Sequence, residues 1–383
     1  MEIELSPKQR DDQASFRRFV DSDVLPAADR FDTEERIEPD VIGQLGSKGY
    51  LGAVIPEQYG GISLDMLTFG LLNEEIGRGC SSLRSLLTVH SMVSHAVLKW
   101  GTPQQKEYWL PQLASGGVLA AFCLTEPSVG SDARNIETVA EPSGDSYVIN
   151  GRKKWISFGQ VADLFLVLAQ SNGKPAAFIV ERQRQGVSVK PISGLLGLRA
   201  SLLAEVNFEG CRVPKENLVG RLGFGLSHVF GAALDCGRYS VAWGSVGIAQ
   251  GCVECCLRYT SERRQGGALL REHQLIQKMI TDSVTSVKAA RLLCYRAAYL
   301  KDSGDPRAIS ETMIAKYFAS RVAVAVAGDA IQMHGAMGCS SESPVGRYLR
   351  DAKIMEIIEG SSQVLQINIA RQAYDCYGPS ITF

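Results

Sequence analysis

Apolar residues recur at helix-like spacing through the first third of the chain. Asp11–Leu25 carries Phe16, Phe19, Val20 and Val24 on one face, with Pro26 as a natural stop. Pro39–Gly46 and Leu64–Gly79 repeat that pattern on either side of GYLGAVIPEQYGG, a connection punctuated by Gly and Pro. Ser82–Trp100 predicts another apolar helix. GTPQQKEYWLPQLASG predicts a short one, capped by Thr102 with Pro103 in its first turn. Near Val118 the period shortens. AAFCLTEPSVGSD, SYVINGRKKWIS, ADLFLVLAQS, AAFIVERQRQGVSVK and AEVNFEGCRVPKENLVG read as strands separated by Gly, Pro, Asn and Asp. From Gly225 long helices return. Leu226–Gln250 and Ile276–Leu300 are strongly apolar, and Glu311–Met333 is rich in Ala and Val. With the segment leading to Glu359 they make a bundle. The order α, β, α predicts a mainly helical protein with a middle β domain, divided as 1–118, 119–224 and 225–383. The middle unit, of roughly 110 residues, has an ordinary domain size. No internal repeat or low-complexity segment interrupts this order.

Composition narrows the classes. The 383 residues are 45% hydrophobic and 21% charged, which excludes disorder and allows two or three domains. Net charge is −1 with no basic block, so nucleic acid has no electrostatic footprint here. No apolar run has the length of a membrane span. The N-terminal MEIELSPKQRDDQ is too polar for a signal peptide. Ten cysteines are scattered, and Cys252, Cys255, Cys256 and Cys294 fall inside apolar helical stretches, which predicts reduced thiols and a cytoplasmic protein. Cys252 and Cys255 form a C-x-x-C, read as one face of a helix. His90 and His95, five residues apart, do not share a helix face. A core or helix-surface role is expected of them rather than metal ligation.

Candidate chemistry gathers in a few stretches. In RDAKIMEIIEGSSQ, Glu359 stands between Ile357-Ile358 and Gly360-Ser361-Ser362. A carboxylate among apolar neighbours has a raised proton affinity and suits a general base. The plain alternative is an exposed Glu ending a helix over Asp351–Ile358, with Gly360 as its stop. TEPSVGSD at 125–132 bends at Pro127 and presents the amides of Gly130 and Ser131, which can bind a polar ring edge or a carbonyl. Trp155-Ile156-Ser157 follows a predicted turn at Asn150-Gly151; Trp155 suits either stacking on an aromatic group or a half-buried core position. Asp235 and Arg238 share a helix face and can pair. Arg263 and Arg264 precede Gln265-Gly266-Gly267, a loop able to offer a guanidinium to a phosphate. IQMHGAMG, with Gln332 and Gly335, is either a helix stop or an amide-rich turn for a pyrophosphate. There is no dinucleotide-binding G-x-G-x-x-G after a strand, no phosphate loop, no nucleophile elbow and no H-E-x-x-H. A carboxylate base, stacking aromatics, amide-rich turns and arginines suit a flavin better than a metal or a covalent nucleophile.

Taken together, PEQYGG, CLTEPSVGSD, KKWIS, Asp235–Arg238 with VGIAQG, ERRQGG with EHQ, QMHGAMG and RDAKIMEIIEGSSQ resemble the acyl-CoA dehydrogenase family of flavoproteins, end to end. The resemblance implies an N-terminal α-helical domain, a β-barrel-like middle domain and a C-terminal four-helix bundle, with FAD between them. It implies that Glu359 is the catalytic base. Phe122, Leu124, Thr125, Gly130 and Ser131 match the loop that holds the flavin ring and the thioester arm, and Trp155 and Ser157 the residues flanking the ring. Arg263 matches an arginine that reaches the FAD diphosphate of a neighbouring subunit. Gln332 and Gly335 match the adenosine-side turn; Ser361 and Gln363 match flavin contacts after the base. Ser131, Asp235, Arg238 and Gly360 fall on the substrate side. Two departures stand out: Gly266 replaces the family's usual aromatic, and Ala336 replaces the second glycine of H-G-G.

CSSLRS (80–85), GRYSVAWGSVGI (237–248) and RDAKIMEIIEGSS are similar to a branch of polyketide and hybrid-peptide pathways. Its members act on acyl groups tethered to an acyl carrier protein and help make hydroxymalonyl, methoxymalonyl or aminomalonyl extender units. In the ordinary family reaction the base takes the α-proton while the β-hydride passes to FAD. In this branch the expectation is oxidation at C3, from aldehyde hydrate to carboxylate. Rival expectations are a catabolic short-chain acyl-CoA dehydrogenase, a prolyl-carrier-protein oxidase and a non-catalytic scaffold. The likeness further implies a homodimer or homotetramer. Reoxidation falls to oxygen, an electron-transfer flavoprotein or another carrier.

Overall fold

The structure is a computed structural model, and it describes residues 4–377. The N-terminal helices are α1 (Pro7–Phe19), α2 (Ala28–Glu34), α3 (Pro39–Ser47), α4 (Met66–Gly79), α5 (Ser81–Trp100) and α6 (Pro103–Ser115). Pro26 does not end the helical path as expected. The chain continues from α1 through a widened turn over Val20–Val24 into a tight turn over Leu25–Ala27, where Pro26 occupies the first turn and its missing N–H costs nothing. The expected start of α6 is present as a reciprocal cap: Gln105 N donates to Thr102 Oγ1 at 3.2 Å, and Thr102 N to Gln105 Oε1 at 2.9 Å.

His90 takes the expected core role. Its Nε2 meets the carbonyl of Leu113 at 2.9 Å and its Nδ1 meets Ala120 N at 3.3 Å, so one neutral ring ties α5 to α6 and to the first strand. Burial pushes its pKa down to about 4. Among the described residues no group of His, Cys, Asp and Glu is placed to hold a metal, and no helix is long and apolar enough to cross a membrane.

The middle of the chain forms β1 (Ala120–Cys123), β2 (Val139–Ser143), β3 (Ser146–Ile156), β4 (Leu164–Ser171), β5 (Lys174–Glu181), β6 (Val187–Pro191), β7 (Ala204–Pro214) and β8 (Leu218–Val219). They make one mixed sheet in the order β6-β7-β3-β2-β4-β5-β8, with β1 parallel to β4. Tyr147 of β3 meets Phe178 of β5 at 4.9 Å between ring centres, although β2 and β4 lie between them in the sheet. The sheet therefore curls over its own core of Ile149, Phe165, Val167, Val206 and Phe208. Its other face, with Leu164, Leu166, Leu168 and Ile179, packs on the helical core. Asn150-Gly151 is not a turn. It lies inside β3, where a register irregularity against β7 absorbs the extra residue; the turn is at Gly144.

The last part contains α7 (Gly231–Glu262), a hairpin of β9 (Arg264–Gln265) and β10 (Ala268–Leu269), then α8 (Gln274–Asp302), α9 (Ala308–His334), α10 (Val345–Met355) and α11 (Ser362–Tyr377). α7, α8 and α9 pack together, and α10 and α11 lie against α9. Cys252 and Cys255 share α7, as the periodicity predicted. α7 also crosses α4 at close range: a Cβ on Gly77 would stand 2.8 Å from the Cα of Gly244. α10 ends at Met355, so Glu359 does not belong to a helix over Asp351–Ile358.

Candidate active site

The six residues between α10 and α11 form a turn whose centre is strained. Glu359 has φ 55° and Gly360 φ 96°, so two successive residues are left-handed. For a non-glycine residue that conformation costs about 1–2 kcal/mol and persists only where the surroundings enforce it. Here two cations enforce it. Arg238 of α7 donates from Nε to the carbonyl of Glu359 at 3.1 Å, and Lys316 of α9 from Nζ to the carbonyl of Gly360 at 2.8 Å. Ser362 N closes the turn on the carbonyl of Glu356 at 2.9 Å.

The Glu359 carboxyl lies against Gly237 of α7. A Cβ at Gly237 would be 2.9 Å from its Cδ and Oε2, and 2.6 Å from Met92 Sδ. Glycine at this position gives the carboxyl its room. The residue keeps some solvent access, while protein packs densely around the carboxyl. That burial raises its pKa to about 6, against the opposing pull of Arg238, Lys316 and Arg84. Burial also lowers Lys316 to about 8 and Arg84 to about 10, with Glu359 partly restoring both.

Arg84, on α5, is fully buried and faces no carboxylate within ion-pair distance among the described residues. Its Nη1 donates to Thr88 Oγ1 at 2.6 Å and, at 3.4 Å, to Ser240 Oγ. Its Nη2 finds only the thioether of Met355, at 3.5 Å, and its Nε has no partner. Ser240 lies about one turn beyond Gly237 on α7, Met355 is the last residue of α10 before the Glu359 turn, and the Glu359 charge acts on the guanidinium. The guanidinium is therefore a neighbour of the carboxylate without being its partner. Spacing gave no reason to single out Arg84, Lys316 or Gly237. The available signal was a lone cation inside an apolar helical run, as in SSLRSLL and MIAKYFA.

The middle-domain candidates share one edge. Phe122 meets Phe230, beside the start of α7, at 4.5 Å between ring centres. The loop after β1 is fixed from beneath: Lys153 Nζ donates to the carbonyl of Leu124 at 3.1 Å and to Glu126 Oε1 at 2.7 Å. Glu126 also accepts from the amides of Glu137 and Thr138 and from Thr138 Oγ1. Lys154 N reaches the carbonyl of Thr125 at 2.8 Å, which sets Trp155 beside that loop. Gly130 and Ser131 remain exposed, and Ser157 is half-buried. Trp155 is 49% exposed, has φ 62° and belongs to neither apolar core, so its ring stands at the surface of the middle domain.

Other candidates are placed differently. Asp235 does not pair with Arg238; it forms an ion pair with Lys301 of α8, because their helices face each other there, while Arg238 turns to the Glu359 turn. Ser361 receives Val364 N on its Oγ at 3.4 Å, as a residue at the start of α11 does, and Gln363 is exposed. Arg263 is exposed at the far end of α7, about 26 residues from Gly237, or roughly 39 Å at 1.5 Å per residue. Gln332 and Gly335 lie at that same end, where Tyr259 stacks on His334 at 4.3 Å. They are about 16 residues along α9 from Lys316, or roughly 24 Å.

Three family models match the chain: the N-terminal, middle and C-terminal domains of acyl-CoA dehydrogenase, over residues 6–117, 121–211 and 225–374. The chain is 37% identical over 374 residues to the mitochondrial short-chain specific acyl-CoA dehydrogenase of Rattus norvegicus, covering 96% of this chain and 90% of the relative. It is 36% identical over 380 residues to the glutaryl-CoA dehydrogenase of Desulfococcus multivorans, covering 97% of both. Two solved structures are also similar. One is a glutaryl-CoA dehydrogenase from Mycobacterium smegmatis in complex with FADH2, with TM-score 0.92, 27% identity, and 99% and 97% of the two chains covered. The other is FkbI, described as acting in biosynthesis of the methoxymalonyl extender unit of the polyketide Fk520, with TM-score 0.87, 31% identity, and 95% and 99% covered.

Proposed function

This chain belongs to the acyl-CoA dehydrogenase family of FAD-dependent oxidoreductases, and from that premise we propose that it oxidises a short, oxygenated acyl thioester held by an acyl carrier protein, in the making of a hydroxymalonyl- or methoxymalonyl-type extender unit. The observation that carries this reading is Arg84. An unpaired buried guanidinium is costly unless an anion or strong acceptor joins it. A butyryl tail offers none; an acyl group ending in a hydrate or carboxylate does. The same observation favours one second reading, a longer dicarboxylic acyl group such as the one in the name of the glutaryl-CoA relatives.

The middle-domain edge fits a flavin. It offers a half-exposed tryptophan in a strained backbone, exposed amides at Gly130 and Ser131, and a loop fixed by a buried Lys153–Glu126 pair. Phe122, Leu124, Thr125, Gly130, Ser131, Trp155 and Ser157 would hold the ring, with Ser361 and Gln363 on the side of the base. When bound, FAD supplies the hydride acceptor. Glu359 is the proton acceptor: at neutral pH a carboxyl with a pKa of about 6 is mostly ionised yet still basic. For an aldehyde hydrate, Glu359 takes one hydroxyl proton as the C3–H bond breaks and its hydride leaves to the acceptor; the product is the carboxylic acid, whose remaining proton is lost to water to give the carboxylate. Arg238 and Lys316 fix the direction of the carboxylate, and Arg84 holds the terminal oxygens. Met92 packs beside the Glu359 carboxyl at Gly237 and Met355 against the Arg84 guanidinium, both buried, apolar and adaptable.

Arg263, Gln332 and Gly335 are too far along the bundle to serve the same flavin ring. We assign them to the diphosphate and adenosine side, with Arg263 acting on a second copy of the chain. Leu275, Leu292 and Tyr299 of α8 and Ile309 and Phe318 of α9 are exposed apolar residues that fit burial in a dimer or tetramer.

The test is flavin bleaching by a panel of acyl groups on a carrier protein and on coenzyme A, with mass spectrometry of the acyl product. The reading expects the oxygenated three-carbon acyl-carrier substrate to bleach at least tenfold faster than its CoA counterpart and than butyryl or prolyl thioesters. Arg84→Met should erase the preference over butyryl. Fastest bleaching by butyryl-CoA would replace it with the catabolic reading, and by glutaryl-CoA with the second reading. Electron acceptors, oxygen or an electron-transferring flavoprotein, are compared in the same assay.

A further inference from the structure

Lys316 is a buried lysine that the mechanism above uses only through the backbone. It lies inside the Ala- and Val-rich α9 with its side chain fully buried. It forms no ion pair with a carboxylate among the described residues; its hydrogen-bond partner is the carbonyl of Gly360, at 2.8 Å. A buried ammonium without a counter-ion is expensive to keep, and packing alone would be served as well by methionine. The carbonyl it holds belongs to the second residue of a turn in which both central residues are left-handed.

We propose that Lys316 is the positioning residue of the catalytic base: by locking the Gly360 carbonyl from α9 it fixes the left-handed turn that aims the Glu359 carboxylate. Arg238 grips the preceding carbonyl from α7, so the turn is held from two helices at once. Without the α9 contact the peptide between Gly360 and Ser361 is free to rotate and the turn keeps only the Arg238 clamp on the Glu359 carbonyl; the favoured relaxation of Glu359 is then to negative φ, which swings its side chain away from Gly237. Lys316 has a second effect through its charge. The charged groups facing the carboxylate are Arg238 from α7, Lys316 from α9 and Arg84 from α5, with Glu356 of the turn facing Lys316 from the same side. Removing one of three cations leaves the ionised carboxylate less favoured.

The inference rests on the reading of Glu359 as the base, so its test has one arm that needs no substrate. Infrared titration of the Glu359 carboxyl band, with Glu359→Gln as the blank, should give a midpoint near pH 6 in FAD-loaded wild type. It should lie at least half a unit higher in Lys316→Met and Lys316→Gln, and close to wild type in Lys316→Arg. The second arm is the rate of flavin reduction above the midpoint, measured with whichever acyl thioester bleaches wild type. Lys316→Met should lose roughly tenfold to a hundredfold there, whereas Lys316→Gln, which keeps an N–H donor for the Gly360 carbonyl, should retain most of the rate. A merely structural lysine would lower the melting temperature in all three variants and leave midpoint and plateau unchanged, and that result overturns the proposal. Failure of all three to fold and load FAD overturns it too, because a residue that only aims the base leaves the bundle standing. If no thioester bleaches wild type, the reading of Glu359 fails in the second arm while the infrared arm still judges Lys316.

Discussion

Gly237→Ala separates the site from the fold more cleanly than any change at the base itself. The added methyl would stand 2.9 Å from Glu359 Cδ and Oε2 and 2.6 Å from Met92 Sδ. Ordinary contact needs about 3.5 Å, so the carboxyl must retreat by roughly 0.5 Å or the helix must shift by as much. Met92 has three rotatable bonds and can move aside; the Glu359 carboxyl, pinned by its turn, has less freedom. Overpacking of this kind costs about 1–3 kcal/mol, but alanine gains about 1 kcal/mol over glycine inside a helix, and Gly237 is interior to α7. The net stability change is therefore expected to stay within about 2 kcal/mol. Catalysis has no such compensation. A displacement of about 1 Å at a reacting group costs on the order of a hundredfold, so a loss of roughly tenfold to a hundredfold is expected here. Stopped-flow flavin reduction, run beside thermal unfolding of the same FAD-loaded sample, reads both numbers. Wild-type reduction in Gly237→Ala would show that the carboxyl does not depend on this contact, and the assigned geometry of the base would fall.

Glu359→Gln should yield yellow, FAD-loaded protein in which substrate reduction of the flavin is lost; bleaching at the wild-type rate would remove Glu359 as the base. In wild type the rate should fall as pH drops through about 6, since the carboxyl binds its proton there rather than at the ordinary 4.5. An acid limb that begins only below pH 5 would contradict the burial of this group. Lys153→Met leaves Glu126 buried without its cation and should destabilise the middle domain by about 3–5 kcal/mol, with loss of FAD from the purified protein. Calorimetry and the flavin-to-protein absorbance ratio check both effects together.

The helices were legible where local chemistry sets their ends. Thr102, Pro103 and Gln105 define the start of α6 by a cap that needs nothing from the rest of the molecule. Asn150-Gly151 misleads because its turn preference is local, whereas pairing of β3 with both β2 and β7 carries the strand straight through it. Spacing likewise offered Asp235 as a partner for Arg238, since residues three apart share a face. Which neighbour each one meets depends on helices remote in sequence, and Lys301 and the Glu359 turn won. Arg84 and Lys316 were not singled out for the same reason. Periodicity reports which helix face is apolar, not which isolated cation on it is sealed in by a later helix. The turn at Glu359 stood out by composition, but its left-handed backbone did not, because nothing in the local sequence demands it.

Arg84 has space only because Gly244 has no side chain: a Cβ there would stand 2.2 Å from Arg84 Cδ and 2.5 Å from Nε. The same glycine backs onto Gly77, so no third helix can move to make way. A chain with alanine at 244 would have to shorten residue 84, and a chain with a smaller residue at 84 would leave a void beside Gly244. A long apolar residue at 84, such as methionine, keeps that space filled, but a lineage or designer that wants a short one there must also change position 244, far away in sequence, and a screen that varies only the residues touching substrate would miss that second change.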